Sequence, residues 1–161
     1  MSNFASVEAE QAVLGSMLID SGCVRRVAAI LRESDFSVAL NQDLYRVIVT
    51  MDRDGQPIDG LTVCAEALRQ SLAEEKTLRK YLAQLMEITP TAANVEMYAD
   101  IVARAARRRE LKTALEDGLA ALADQAPEDE VLTQLDAAMT ASSQRLESEL
   151  LAPKEQVDGF L

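Results

Sequence analysis

The stretch ITPTAANVEMYADIVARAARRREL, residues 88–111, contains the chain break and the helical run that decide the fold. After Pro90, apolar residues follow helical spacing until the arginines begin, and there the apolar stripe stops. This first stripe consists of Val95, Tyr98, Val102 and Ala105. A second stripe, rotated by roughly a quarter turn, consists of Leu111, Leu115, Leu119 and Leu122. One long helix is therefore predicted to serve two packing environments.

Downstream of this run the chain is predicted to turn back on itself. The tripeptide QAP, residues 125–127, interrupts the helix, and acidic residues from Glu128 onward start a second amphipathic helix. Two helices of about 15 to 20 residues with so short a connection predict an antiparallel αα-hairpin. Because a lone hairpin buries apolar residues along one seam only, we also predict self-association. The predicted hairpin and oligomer seam consists of Leu111, Leu115, Leu119, Leu122, Leu132, Leu135 and Met139.

Upstream of the long helix, the spacing of apolar residues predicts about five or six shorter helices. Ser6 is placed to cap the first helix, Gly55 to end the third, and Asp59 to cap the fourth. The resulting organisation has four parts. They are a disordered N-terminus at residues 1–5, a helical head at 6–109, a hairpin at 110–147 and the start of a linker at 148–161.

Composition agrees with an all-α fold, here a globular multi-helix head followed by a C-terminal hairpin. Only 4% of the 161 residues are aromatic, there is no Trp, and helix-forming residues dominate. The net charge of -11 repels nucleic acid unless a basic face is segregated. Neither a signal sequence nor a long apolar run is present, so we expect a cytoplasmic protein that does not enter membranes.

The residues needed for common catalytic chemistry are missing. The sequence has no GxxxxGK[ST] loop to hold nucleotide phosphates and no His for a triad, a general base or a zinc site. Cys23 and Cys64 lack metal-binding spacing and are interpreted as two reduced, packed thiols. We therefore expect no catalytic residue, no cofactor and no metal ligand in this stretch of chain.

Charged residues concentrate in two places. The first, called here the basic cluster, holds five of the 16 Lys and Arg residues: Arg104, Arg107, Arg108, Arg109 and Lys112. It can be a solvated helix face paired with local acids, a protein interface at the junction of head and hairpin, or a DNA contact. The second, the acidic tip, consists of Asp124, Glu128, Asp129 and Glu130. It is a candidate docking site for a basic partner, although acids are also ordinary at the start of a helix.

An ordered set of motifs suggests a family. The segments are EAEQAVLGSMLID (8–20), DFSVALNQDLYRVIVTM (35–51), GQPIDGLTV (55–63), YLAQLMEITPTAANVEMYADIV (81–102) and then RRREL. Together they resemble the N-terminal domain of DnaB-type replicative DNA helicases, in order, through residues 8 to 111. The sequence departs from the family pattern at Asn41, Gln42, Tyr45 and Gly60.

The resemblance implies a structural module of a replication machine in bacteria, a phage or a mobile element. Hairpins would pair into dimers, and three dimers would form the collar of a hexameric ring that receives primase and a helicase loader. ATP, Mg²⁺ and most DNA contacts would belong to a RecA-like motor domain beyond Leu161, so the parent protein would be an ATP-dependent helicase. The basic cluster would then anchor packing between subunits.

Two other functions remain open at this point. A stand-alone adapter or inhibitor with the same fold would bind a helicase ring, and it would lack a GxxxxGK[ST] loop after Leu161. A nucleic-acid-binding module would use the stripe from Arg104 to Lys112, and its binding to DNA would weaken with salt.

Overall fold

The computed structural model describes the backbone of residues 4–151 and the side chains of residues 6–147. Within this range the chain is helical and contains no strand, which confirms the all-α prediction. The helices are α1 (Phe4–Ile19), α2 (Val24–Ile30), α3 (Ala39–Arg53), α4 (Gly60–Arg69), α5 (Glu75–Glu87), α6 (Val95–Ala123) and α7 (Glu128–Leu151). Short 3-10 turns at Ser21–Cys23 and Glu33–Asp35 lie on either side of α2.

The chain divides into two compact units, Met1–Ala106 and Arg107–Leu161. We call them the head and the hairpin. The predicted boundary, between 109 and 110, lies three residues later. Helix α1 begins at Phe4, inside the stretch predicted to be disordered, and Ser6 is buried within the helix, so its predicted role as the cap is wrong. Helix α7 continues to Leu151, into the predicted linker at 148–161; residues 1–3 and 152–161 lie outside the described residues.

The head is built around α5, which packs against both α1 and α4, while α3 packs against α1, α2 and α4. Fully buried aliphatic and aromatic side chains form its core, among them Leu14, Met17, Phe36, Ile48 and Leu85. Val95, Ala99, Val102, Ala103 and Ala106 of α6 are also buried. The buried face of α6 thus runs to the end of the head.

Helix ends in the head follow local chemistry. Gly55 adopts φ 72°, and the amide of Gln56 donates to Met51 O, so Gly55 ends α3 as predicted. The Asp59 carboxylate accepts from the Thr62 amide at 2.8 Å and caps α4. This bond lowers the pKa of Asp59. Both predictions are confirmed. Each concerns contacts within three to five residues of chain, which local sequence can predict.

The residues that depart from the family pattern are accommodated by specific contacts. Gln42 Nε2 donates to Phe36 O, and the Tyr45 hydroxyl donates to Leu31 O at 2.9 Å. The pKa of Tyr45 is raised because the phenol is buried, so the group stays a donor. At Gly60 a Cβ atom would lie 2.7 Å from Met86 Cε, so Met86 occupies the space that a larger residue would fill.

Asn41 belongs to a buried polar network that joins three helices. Glu10 of α1 and Asn41 of α3 are both fully buried, and Asn41 Nδ2 donates to Glu10 Oε1 at 3.0 Å. The Tyr81 hydroxyl of α5 donates to Asn41 Oδ1. Burial raises the pKa of Tyr81, which keeps its proton available for this bond. The network therefore fixes α1, α3 and α5 at one place in the core.

Cys23 and Cys64 are both buried, unbridged thiols. Burial raises the pKa of Cys23 to about 11, so at neutral pH it stays a protonated, unreactive thiol.

Candidate functional site

Small residues bring the two helices of the hairpin together. Gly118 of α6 is buried, and a Cβ atom at this position would lie 3.3 Å from Leu135 Cδ2 of α7. Ala114 and Ala121, one turn to either side, are half-buried. On α7 the inward residues are Val131, Leu135, Ala138, Ser142 and Arg145. The missing side chain of Gly118 thus leaves room for the Leu135 side chain in the seam.

The two helices are antiparallel. Gly118 faces Leu135. Glu110, earlier in α6, pairs with Arg145, later in α7, at 3.9 Å. The connection consists of residues 124–127, with Gln125 at φ 66° and the Ala126 amide donating to Ala121 O. This hydrogen-bond pattern is the Schellman end of a helix, here closed by Gln125 in place of the usual glycine.

The predicted leucine seam does not join the two helices within one chain. Leu119 is 72% and Leu132 is 66% exposed. The other predicted residues that are exposed in the single chain are Leu111, Leu115, Leu122 and Met139. Of the predicted set, Leu135 alone is half-buried in the intrachain seam. Small side chains and Leu135 thus line the seam within one chain, and the other predicted residues stay available for the predicted seam between chains.

These exposed residues share one face of the hairpin. At about 100° per residue, the four leucines of α6 all lie on one side of Gly118, from roughly 20° at Leu111 to roughly 100° at Leu119. Leu132, Met139 and Leu146 lie about a quarter turn from Val131, in the same rotational sense along α7. Because α7 runs antiparallel to α6, rotations in the same sense from the seam bring both sets to the same side. We call this surface the apolar face: Leu111, Leu115, Leu119, Leu122, Leu132, Met139 and Leu146.

The residues of the basic cluster have different surroundings. Arg104, in the head, pairs with Asp100 one turn earlier, at 3.0 Å. Arg107 and Arg109, in the hairpin, are half-buried and engaged in interactions. Arg108 and Lys112 are exposed. Sequence analysis missed Arg145, whose side chain is only 9% exposed beside Glu110. It lies 33 residues beyond Lys112 in sequence, so only the hairpin geometry brings it near this end of α6.

The acidic tip is exposed to solvent. Asp124, Glu128, Asp129 and Glu130 are all exposed around the connection between α6 and α7. The Glu130 amide is satisfied by Pro127 O, so the acids do not cap α7 through that bond. In the described part of the chain no Cys, Asp and Glu side chains form a group that could hold a metal ion. Nor is any described helix long and apolar enough to cross a membrane.

Comparison with protein families gives a match over residues 2–104 to the DnaB-like helicase N terminal domain. The replicative DNA helicase DnaB of Geobacillus stearothermophilus is 39% identical over 110 residues, covering 68% of this chain and 24% of that protein. The DnaB helicase of Mycobacterium leprae is 40% identical over 103 residues, covering 64% of this chain and 17% of that protein. The chain thus spans about a quarter or less of the length of these relatives.

Solved structures share the fold. The crystal structure of the N-terminal domain of DnaB helicase from Mycobacterium tuberculosis matches with a TM-score of 0.77 and 34% identity, covering 83% of this chain and 94% of that one. A DnaB-like replicative helicase, described together with its interactions with primase, matches with a TM-score of 0.66 and 18% identity, covering 93% of this chain and 36% of that one. The family match covers residues 2–104, and the M. tuberculosis structure covers 83% of the chain. The chain therefore belongs to the DnaB-like helicase N-terminal domain family.

Proposed function

We propose that this chain is the collar domain of a replicative hexameric DNA helicase. Its work is to assemble the ring and to dock partner proteins, and it performs no catalysis itself. In the parent protein, a motor domain would use ATP and Mg²⁺ to unwind DNA at the fork. Family membership supports this assignment, and so does the similarity of nearly the whole M. tuberculosis N-terminal domain to this chain.

The observation that carries the proposal is the apolar face of the hairpin. Seven large apolar side chains lie exposed on one side of two paired helices. Exposed apolar clusters of this kind mark interaction surfaces, because burying them removes apolar area from water. A second copy of the hairpin offers an equally apolar partner surface, so two faces pair into a four-helix dimer. Three such dimers would make the collar of the hexamer.

Replacing Leu119 with Glu tests this pairing. A carboxylate in the paired face would have to leave water without a partner, so we expect the dimer dissociation constant to rise at least about tenfold. The head and the intrachain seam should stay folded, because Leu119 is largely exposed in the single chain. Sedimentation velocity over a range of concentrations measures the change.

The matched control is Ala120→Glu. Ala120 is exposed on the same helix but lies 100° around its axis, away from the apolar face. This variant adds the same charge and should keep the wild-type mass. If Leu119→Glu also keeps it at every concentration, the apolar face is not the interface.

The basic cluster is the second part of the proposed subunit contact. Arg107 and Arg109 are already engaged, while Arg108 is exposed. We expect Arg107→Glu combined with Arg108→Glu to shift the chain toward monomer in light scattering, because reversed charges would meet an acidic neighbour. A double reversal of Arg69 and Arg79, two exposed head residues, is the control. Unchanged mass of the cluster variant would remove this role.

Docking of primase and of a helicase loader completes the proposal. The solved DnaB-like helicase that shares this fold is described with its interactions with primase. The acidic tip is the part of the described hairpin that displays four carboxylates together, which suits a basic partner surface. We propose it as the primase contact.

Reversing charge at the tip should separate docking from assembly. We expect Asp129→Lys with Glu130→Lys to weaken primase binding about tenfold or more, measured by calorimetric titration, because opposite charges become like charges. The oligomer mass should not change. Glu116→Lys with Asp117→Lys, on the same hairpin away from the tip, serves as the control. Equal primase affinity of tip variant and wild type would leave these acids as ordinary helix-start residues.

A further inference from the structure

A second apolar surface lies on the head, where three helices end or begin. Helix α5 packs beside α1 and α4. Gly15 of α1 lies directly against Thr89, after the end of α5, and Gly60 at the start of α4 lies against Met86. The end of α1, the start of α4 and the end of α5 therefore meet at one edge of the head.

Each of these three helix ends exposes a large apolar side chain. Leu61 is 72%, Ile88 is 49% and Ile19 is 40% exposed. Ile19 is one turn beyond Gly15, Ile88 precedes Thr89, and Leu61 follows Gly60, so the glycine contacts place the three residues around the same edge. We call them the head patch. Such side chains contribute nothing to the core of the head and are available to a partner.

The surroundings of the head patch are acidic. Asp20 follows Ile19, Asp59 lies two residues before Leu61, and Glu87 precedes Ile88, and all three acids are exposed. No Lys or Arg occurs in residues 8–24, 54–68 or 81–103, the segments that supply this edge. The head patch thus has an apolar centre and a negative rim. These three segments contain no basic residue that could neutralise the rim.

We propose that the head patch docks a segment of another protein that presents an apolar side chain flanked by Lys or Arg. Charge complementarity supports this occupant: the negative rim attracts basic side chains, and the apolar centre receives the residue between them. A nucleic acid is repelled by the same rim. A second copy of this chain carries a net charge of -11, which disfavours it as the occupant, and its binding at the head patch would appear as a change in oligomer mass on Leu61→Ser. The site lies wholly within the head and does not depend on pairing of hairpins.

The test uses the whole chain with labelled Ile and Leu methyl groups and a synthetic helical peptide with Leu and Lys on one face. We expect methyl NMR shifts at Ile19, Leu61 and Ile88 during titration. A peptide with Glu in place of every Lys should cause no such shifts. Leu61→Ser should weaken binding of the Lys peptide about tenfold, because one apolar contact is lost. Ala120→Ser, on the hairpin outside the apolar face, should leave the affinity at the head patch unchanged.

Any of three titration results would overturn the proposal. They are shifts confined to the hairpin methyls, equal binding of the Lys and Glu peptides, and no binding up to about 1 mM peptide. Equal affinity of Leu61→Ser and wild type would do the same. The thermal midpoint of Leu61→Ser confirms folding, since an exposed leucine contributes little to the core. The oligomer mass, measured in parallel, keeps failure of this site distinct from failure of the collar assignment.

Discussion

The Gly15→Ala variant is expected to lose much of the stability of the head. Gly15 is buried in the last turns of α1, and a Cβ atom there would overlap Leu85 O and the Thr89 hydroxyl, with Thr89 Cβ at 2.9 Å. The backbone oxygen cannot rotate away, so α1 has to move from α5 along their whole contact. Overpacking of this kind costs about 3 kcal/mol, which exceeds the roughly 1 kcal/mol that Ala gains over Gly in a helix. Urea unfolding followed by circular dichroism measures the difference.

Gly60→Ala is the matched control for this substitution. It also adds one methyl group to the head, and its Cβ atom would lie 2.7 Å from Met86 Cε. The end of a methionine side chain is flexible and can move aside, so we expect little change in the midpoint. Equal stability of Gly15→Ala and wild type would show that α1 and α5 are not in close contact at this point.

Features with a local cause are predictable from the sequence. Gly55 and Asp59 were predicted as helix ends, and each makes its bond to residues within one turn or so. The start of α7 at Glu128 was also predicted, from the break at QAP. The apolar stripe of α6 in the head was predicted from spacing alone, and Val95 and Val102 are buried.

Partner choice between helices could not be predicted in the same way. The leucines of the hairpin carry the strongest hydrophobic signal, yet Gly118 and its alanine neighbours line the intrachain seam. A hydrophobic stripe indicates that a helix face is buried, but it does not indicate whether the same chain or another chain buries it. In the hairpin, the residues that line the intrachain seam include Gly118, Ala114 and Ala121, whose small side chains carry little periodic hydrophobic signal.

Glu10 is the clearest case of a role that spacing could not reveal. With Ser6 as the predicted cap, Glu10 falls near the start of the first predicted helix, where acids favour helix formation. In the structure it is fully buried, and its partners Ser37 and Asn41 lie 27 and 31 residues away. No residue close to Glu10 in sequence indicates these bonds. A buried carboxylate is stabilised by the hydrogen-bond donors that the fold brings to it, and these donors are distant in sequence here.

Replacing Glu10 with Ala is also expected to lower the stability of the head strongly. Glu10 Oε2 accepts from the Ser37 amide at 2.8 Å and from Ser37 Oγ at 2.6 Å, and Oε1 accepts from Asn41 Nδ2. The variant leaves Asn41 Nδ2 without its acceptor in the core and takes away the acceptor of the Ser37 amide and hydroxyl. It also removes a carboxylate from the start of α3, whose cap residue Val38 offers no side-chain bond. We expect a loss of roughly 3 kcal/mol or more, because each donor left without a partner loses its hydrogen bond. Urea unfolding at fixed protein concentration measures it.

Two comparisons identify the cause of that loss. Glu8→Ala removes an exposed carboxylate from the same helix and should change stability by no more than about 0.5 kcal/mol. Glu10→Gln keeps the size of the side chain but turns one acceptor into a donor facing Asn41 Nδ2, so its stability should fall between wild type and Glu10→Ala. If the network acts as a unit, Asn41→Ala added to Glu10→Ala costs less than the sum of the single changes, since the second substitution removes a donor already left unpaired. Fully additive losses would mean that Glu10 and Asn41 stabilise the head independently, and the coupling of α1 to α3 through this carboxylate would have to be abandoned.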